Sequence, residues 1–415
     1  MLRAVRARLF KFATSLESVL DLGHSRGTRS LPTAADLQKA IARFHEELKG
    51  ASAGGTRLST LAAQGVGGAL RLLAEKAGQM AATGPDLRSV SGTCTPAQLR
   101  SLSLCNCLQE VHRSLVALLP RMHLAATEEL REPLDAVQAT AVECVTPTFR
   151  AMVEAAQDAL LGMHRQGWGG EGAGADIAET SPYMRTLVRH ITHCRVEFLS
   201  KLSPSPSSPT PSVGRALVER MAARLLVFFV RHAALLRPLG QAGKIQLAKD
   251  MGDLEASIAQ HLLPLDQLGP PARILRAFRR LLFTPRDTPA SPAAAATPDE
   301  ASGAGAGGAT AEEQQQEGTA AIPAAAALPA AAVPALLRDL PRTTLLHYLF
   351  SQGPPAVESP HTRSGLTPVQ YSLWLDEHSQ EEAVKFIRAA LDAGEAKAKG
   401  DPTLALMRSI AAGQL

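Results

Sequence analysis

Large apolar residues recur every three or four positions through most of this chain. Leu104, Leu108, Val111, Leu115, Leu118 and Met122 step by 4, 3, 4, 3 and 4, which sets them on one stripe of an α-helix. Pro120 is expected to kink that helix near its end. Phe149, Met152, Ala156, Leu160 and Met163 form a second stripe, closed by a Gly-rich loop after Gly167. Met184, Leu187, Ile191, Cys194 and Phe198 form a third, and Val218, Met221, Leu225, Phe228 and Leu235 a fourth. The fifth runs through Leu247, Met251, Leu254, Ile258 and Leu262. Between the last two, Pro238 and Gly240 stop one helix and turn the chain, so these helices are expected to form an antiparallel hairpin. No stretch sustains the period-2 alternation of a strand. The pattern predicts an all-α fold.

Two segments interrupt the periodicity. Residues 203–212 read Ser-Pro-Ser-Pro-Ser-Ser-Pro-Thr-Pro-Ser, an extended linker open to phosphorylation. Residues 285–335 hold Pro, Ala, Gly and a Glu-Glu-Gln-Gln-Gln-Glu run, with too few large apolar groups to order themselves. The expected division is therefore a helical bundle over 1–202, the linker at 203–212, a helical hairpin region over 213–284, a disordered insert over 285–335 and a C-terminal helical segment over 336–415.

Composition narrows the function classes. The 415 residues include 16 aromatics, while hydrophobic residues reach 45% and are mostly Ala and Leu, which favours helix-on-helix cores. Lys and Arg total 43 against 39 acids, a net +4 too balanced to build a strong field. Without aromatic platforms along a basic track, nucleic acid is not an expected partner. Five irregularly spaced cysteines (Cys94, Cys105, Cys107, Cys144 and Cys194) fit reduced thiols in the cytosol. The apolar run at 225–230 is six residues long, where crossing a bilayer takes about 20. Arg3, Arg6, Arg8 and Lys11 precede the first acid, Glu17, as in an organelle transit peptide. Glu17 and Asp21 favour an amphipathic bundle helix instead.

Candidate catalytic and metal-binding chemistry is thin. Cys105 and Cys107 lie near His112 and His123, but residues two apart on a helix point about 200° away from each other and cannot share one ion. His190 and Cys194 fall on one face with His193 beside them, yet no fourth ligand has suitable spacing. His45-Glu46-Glu47-Leu48 lacks the second histidine of a zinc-protease helix. Gly65-Val66-Gly67-Gly68 has no strand before it, and no Gly-Lys-Ser/Thr group follows the glycines of 303–308, so both read as loops rather than phosphate cradles. No cofactor, small-molecule substrate or catalytic set is expected.

The stretch around the turn carries the most information. Arg231, His232, Arg237 and Lys244 cluster there, either complementing a helix C-terminus or forming a basic patch for an acidic partner helix. Trp374, flanked by Leu373 and Leu375, is either core or an interface anchor. Asp376, Glu377, Glu381 and Glu382 read as the acidic start of a helix continuing to Leu391.

The groups Arg231-His232-Ala233, Leu236-Arg237-Pro238-Leu239-Gly240, Gly243-Lys244 and Asp250 resemble, in order and spacing, one family: subunit 5 of the conserved oligomeric Golgi complex. Leu268-Gly269, the run from Arg273 to Arg279 and Leu281-Leu282-Phe283 resemble its next segment, with Arg280 in place of a proline. Leu340-Pro341, Leu349-Phe350, Ser359-Pro360, the run from Ser372 to His378 and the run from Ile387 to Leu391 resemble its C-terminal region. Weaker similarity runs back through Tyr183-Met184, Met163-His164 and Pro32 to Arg8-Leu9-Phe10.

The resemblance implies roughly the C-terminal half of such a subunit, without its N-terminal helical portion. It further implies consecutive helical bundles forming an elongated rod, a non-enzymatic role in vesicle tethering and intra-Golgi retrograde transport, and peripheral attachment at the cytosolic face of Golgi membranes, with a cytosolic pool. The partners it implies are other subunits of the complex, subunit 7 first, together with SNARE and Rab proteins. A helical subunit of another tether, such as an exocyst-like assembly, shares the periodicity but not the pattern from Arg231 to Asp250. An organelle-imported helical protein is the other alternative.

Overall fold

The computed structural model describes residues 56–81, 85–169, 179–285, 328–353, 357–394 and 400–414. Among them the regular structure is helical throughout, with short 3-10 turns and no strand. Every residue of the five predicted stripes except Met122 is at most 8% exposed. Burying each large aliphatic side chain is worth about 1.5–3 kcal/mol, so these stripes supply the driving force that the balanced charge does not. The basic N-terminal segment and most of the predicted insert lie outside the described residues.

The chain groups into two compact units. The first comprises Met1–Gln166, Ala178–Phe229 and Lys249–Ala272, and the second Gly167–Ile177, Val230–Ala248 and Arg273–Leu415.

In the first unit, α1 (Thr56–Ala81), α2 (Pro96–Val116) and α4 (Pro182–Glu197) all pack on α3 (Leu124–Leu161), a helix of 38 residues. Pro133 and Pro147 sit inside α3. Each lacks an N–H, so each leaves a carbonyl of the preceding turn without its helical partner. The Gly65–Gly68 stretch is helical, which corrects the loop expected there. A Cβ at Gly67 would stand 3.1 Å from Pro133 Cγ and 3.7 Å from the Glu129 carbonyl oxygen, so the missing side chain lets α1 approach the proline turn of α3. Helix α2 begins with a reciprocal cap: Gln98 N donates to Thr95 Oγ1 at 3.2 Å and Thr95 N to Gln98 Oε1 at 2.9 Å. It stops at Val116 instead of running to a kink at Pro120, which starts a separate 3-10 turn at Leu119–Arg121.

Helices α5 (Val213–Ala234), α6 (Gln241–His261) and α7 (Pro270–Phe283) continue the chain. The second unit adds α8 (Val333–Leu337), α9 (Arg342–Gln352), α10 (Pro360–Arg363), α11 (Pro368–Glu377), α12 (Gln380–Gly394) and α13 (Pro402–Ala412). Helix α9 is its centre, packed by α12 and α13. Thr344 through Ser351 of α9 are all buried. Phe278 of α7 meets Tyr348 of α9 edge-on, with ring centroids 5.8 Å apart. The end of the predicted disordered insert is helical, because Leu328 and Val333 are buried and Pro334 opens α8 at a position that needs no N–H partner.

Candidate partner-binding surface

Helix α5 ends and α6 begins around residues 235–240, the turn expected from Pro238 and Gly240. Gly240 does not take up a positive φ. Its role is close approach: Gly240 N donates to the Trp168 carbonyl at 2.8 Å. A Cβ at Gly243 would stand 2.3 Å from that same carbonyl oxygen, and one at Gly169 would stand 2.5 Å from Pro238 Cγ. The Trp168-Gly169 backbone therefore lies directly against the turn, and the spacing Gly240, Gly243 records its passage.

The basic cluster splits. Arg231 Nη1 donates to the Ser372 carbonyl at 2.9 Å, to Ser372 Oγ at 3.1 Å and to Asp376 Oδ1 at 2.7 Å, which ties the end of α5 to α11. Its side chain is 17% exposed, so this ion pair is shielded from solvent more than most surface pairs. Arg237 Nη1 donates to the Val357 carbonyl at 2.6 Å, and partial burial lowers the affinity of Arg237 for its proton. His232 and Lys244 are buried. The four residues thus come together near one turn without forming an open basic patch.

Trp374 is half-buried on α11. It stacks on Tyr371 (5.8 Å between centroids, 7° between planes), on His378 (4.1 Å, 23°) and against Phe386 of α12 (4.7 Å, 37°). Tyr371 hydrogen-bonds through its hydroxyl to His347 Nε2 at 2.9 Å. Burial, with His361 and Arg231 nearby, pushes His347 down to about 3, so this ring is neutral near pH 7. Leu373, which flanks Trp374, is 56% exposed, and Val369 one turn earlier is 39% exposed. Together they make an outward apolar edge beside the Trp374 ring. Their i, i+4 spacing was the available signal, and the aromatic stack beginning one residue away masked it.

The acidic residues near Trp374 also divide. Asp376 and Glu377 end α11 instead of starting the next helix, and only Glu381 and Glu382 occupy the first turn of α12. Glu382 N donates to Ser379 Oγ at 3.3 Å and Ser379 N to Glu382 Oε2 at 2.8 Å. The hydrogen bonds that Ser379 N and Ser379 Oγ donate to Glu382 Oε2, each at 2.8 Å, lower the pKa of Glu382.

The remaining candidates for chemistry are held in local contacts, and the structure brings Cys194 Sγ to 3.4 Å from His190 Nε2. His190 Nε2 lies 2.9 Å from the Met152 carbonyl and His193 Nε2 3.0 Å from the Gly92 carbonyl. Burial pushes the thiols of Cys105 and Cys194 up to about 12 and that of Cys144 up to about 11, which makes them weak nucleophiles. Among the described residues no group of three or more His, Cys, Asp or Glu is placed to hold a metal ion, and no helix is long and apolar enough to cross a membrane.

No protein-family model and no solved structure matches the chain. Two curated relatives do. Conserved oligomeric Golgi complex subunit 5 of Arabidopsis thaliana is 35% identical over 383 residues, which cover 91% of this chain and 40% of that protein. The subunit of the same name from Mus musculus is 24% identical over 393 residues, covering 93% of this chain and 42% of that protein. The chain therefore spans about two-fifths of the length of the curated relatives it matches. The resemblance carried by the motifs around the Arg237–Gly240 turn extends along nearly the whole chain, which is related in sequence to conserved oligomeric Golgi complex subunit 5.

Proposed function

We propose that this chain is a non-catalytic helical subunit of the Golgi tethering complex, acting in intra-Golgi retrograde transport at the cytosolic face of Golgi membranes and in the cytosol. Its work is to bind other subunits of the complex, subunit 7 first among them, and to help the assembly engage SNARE and Rab proteins. The observation that carries this reading is the sequence relationship over 91% of the chain. The fold is compatible with it, since helical bundles offer long side surfaces and a stable interface buries about 1,200–2,000 Å² without needing a pocket.

Within this reading the contact surface includes the outer edge of α11. Val369 and Leu373 supply apolar area, and the half-buried Trp374 supplies the kind of aromatic anchor that dominates many interfaces. Arg231 acts through Asp376 and the Ser372 carbonyl to fix how α11 is presented. Arg237 supports the same unit through Val357. His232 and Lys244 are buried beside the turn and are not part of this surface.

Affinity purification of the tagged full chain from cells, with mass spectrometry of what accompanies it, tests the proposal. Recovery of several subunits of the complex, with subunit 7 enriched, is the expected result. A folded chain that recovers none of them would overturn it.

A further inference from the structure

The Ser/Pro segment at 203–212 is held in a defined way. Two amides of α2 grip its ends. Asn106 Nδ2 donates to the Lys201 carbonyl at 2.8 Å, Ser203 N donates to Asn106 Oδ1 at 2.9 Å, and Val213 N donates to Gln109 Oε1 at 2.7 Å. Between these anchors the chain forms turns and bends with no helix or strand.

Four hydroxyl residues here are followed by proline: Ser203, Ser205, Ser208 and Thr210. An enzyme that recognises such a pair must reach the hydroxyl and also seat the proline ring, which presents no N–H. Pro206 is buried, which closes the Ser205 pair, and Pro204 is half-buried. Pro209 and Pro211 are exposed. Ser208 and Thr210 thus keep an open ring beside them, and their hydroxyls share a hydrogen bond, Ser208 Oγ to Thr210 Oγ1 at 3.1 Å.

A cation stands next to one of the two. Arg215 Nη1 donates to the Ser208 carbonyl at 2.7 Å, while its Nη2 donates to Gln267 Oε1 at 2.7 Å, so the guanidinium is fixed against the backbone of Ser208. A phosphate carries about −1.5 to −2 charges near pH 7 and gains charge-assisted hydrogen bonds when an arginine is within reach.

We propose that Ser208 is a phosphorylation site for a proline-directed serine/threonine kinase, with Arg215 as the residue that receives the phosphate. The reaction consumes ATP. The γ-phosphorus bonds to Ser208 Oγ as its bond to the β–γ bridging oxygen breaks, ADP leaves, and the hydroxyl proton passes to the base of the kinase. The product replaces the Ser208–Thr210 hydroxyl contact with a dianion beside Arg215, and so fastens the loop to the start of α5.

The test uses the full chain, purified from a bacterial host, with Mg·ATP and a cyclin-dependent kinase, and quantifies each site by mass spectrometry. Ser208 is expected to be modified at least tenfold faster than Ser203 or Ser205, and Ser208→Ala to remove that fast phase. A synthetic peptide spanning 200–216 should lose this order of preference, because nothing buries Pro206 there. Equal rates at Ser205 and Ser208 in the folded chain, or no phosphate within 203–212, would overturn the site. The phosphorylated chain is also expected to melt higher than the unmodified one, and Arg215→Gln to abolish that increment. An increment that survives Arg215→Gln would remove Arg215 from the proposal.

Discussion

Tyr183 donates its hydroxyl proton to Asp250 Oδ2 across 2.7 Å, joining the start of α4 to α6 in a place where Asp250 is fully buried. Ser181 N adds a second, longer hydrogen bond at 3.3 Å to the other carboxylate oxygen. Both Tyr183 and Asp250 belong to the segments through which the sequence resembles conserved oligomeric Golgi complex subunit 5, and this pairing gives those positions a physical reason. A buried carboxylate that loses a donor keeps its desolvation cost, so Tyr183→Phe is expected to lower the unfolding free energy by about 1–3 kcal/mol. Urea denaturation measures this. A change within error would mean that the carboxylate is satisfied without the phenol.

His347 makes stability depend on pH. Its native value is pushed down to about 3, while an unfolded histidine titrates near 6.5. Between these values the unfolded chain binds a proton that the folded chain refuses, so stability is fully present above about pH 6.5 and falls as the pH is lowered. At pH 5 this contribution is reduced by about 2 kcal/mol. His347→Gln should flatten the stability profile between pH 7 and 5 by that amount, read from denaturation curves at each pH. An unchanged profile would show that the ring is not the titrating group.

Gly243→Ala should cost more than Gly240→Ala. The new Cβ would stand 2.3 Å from the Trp168 carbonyl oxygen at position 243, whereas at 240 the nearest atom, the Gly169 carbonyl oxygen, is 3.2 Å away. Backbone atoms do not swing aside as a side chain does, so the first substitution is expected to destabilise by about 2 kcal/mol or more and the second by clearly less. Melting curves of the two variants decide the order.

On α11, binding and folding should separate. Leu373→Glu alters a residue that is 56% exposed, so it is expected to leave the melting temperature within a degree or two and to weaken capture of complex subunits about tenfold or more. Trp374→Ala removes a ring stacked on Tyr371, His378 and Phe386, and should lose about 2 kcal/mol of stability as well as binding. Arg237→Glu would set a carboxylate against the Val357 carbonyl, so it too should lower the melting temperature. Pull-downs beside melting curves distinguish these outcomes. Full subunit capture by Leu373→Glu would exclude this edge of α11 from the interface.

The five helical stripes were legible because a 3.6-residue period is a local property, and tertiary packing had only to agree with it. Helix α1 was not, since a cluster of glycines reads as loop until Pro133, about 65 positions later, is seen to occupy the space that Gly67 leaves. The same holds for the candidate surface. The grouping of Arg231 and Arg237 around a turn could be read from spacing, whereas their targets, Ser372, Asp376 and Val357, lie far along the chain and carry no local signal. The exposure of Leu373 was not legible either, because its flanking position beside Trp374 fits a core as well as an edge. Its neighbours Tyr371 and Trp374 point into the aromatic stack, and a helix turns far enough in one residue to put Leu373 outside.

The passage of Trp168 and Gly169 against the Pro238–Gly240 turn also bears on the order of folding. The hydrogen bond from Gly240 N to the Trp168 carbonyl closes a loop of about 70 residues, and the entropy of such a closure grows only slowly with length but must be met before the contact gives anything back. Helices α3 through α6 rest largely on local contacts, whereas the turn and its backbone neighbour lie far apart along the chain. Glycines at 240 and 243 leave room for the Trp168-Gly169 main chain, and Gly169 leaves room for the Pro238 ring, so this long loop closes without a side chain of their own in the way.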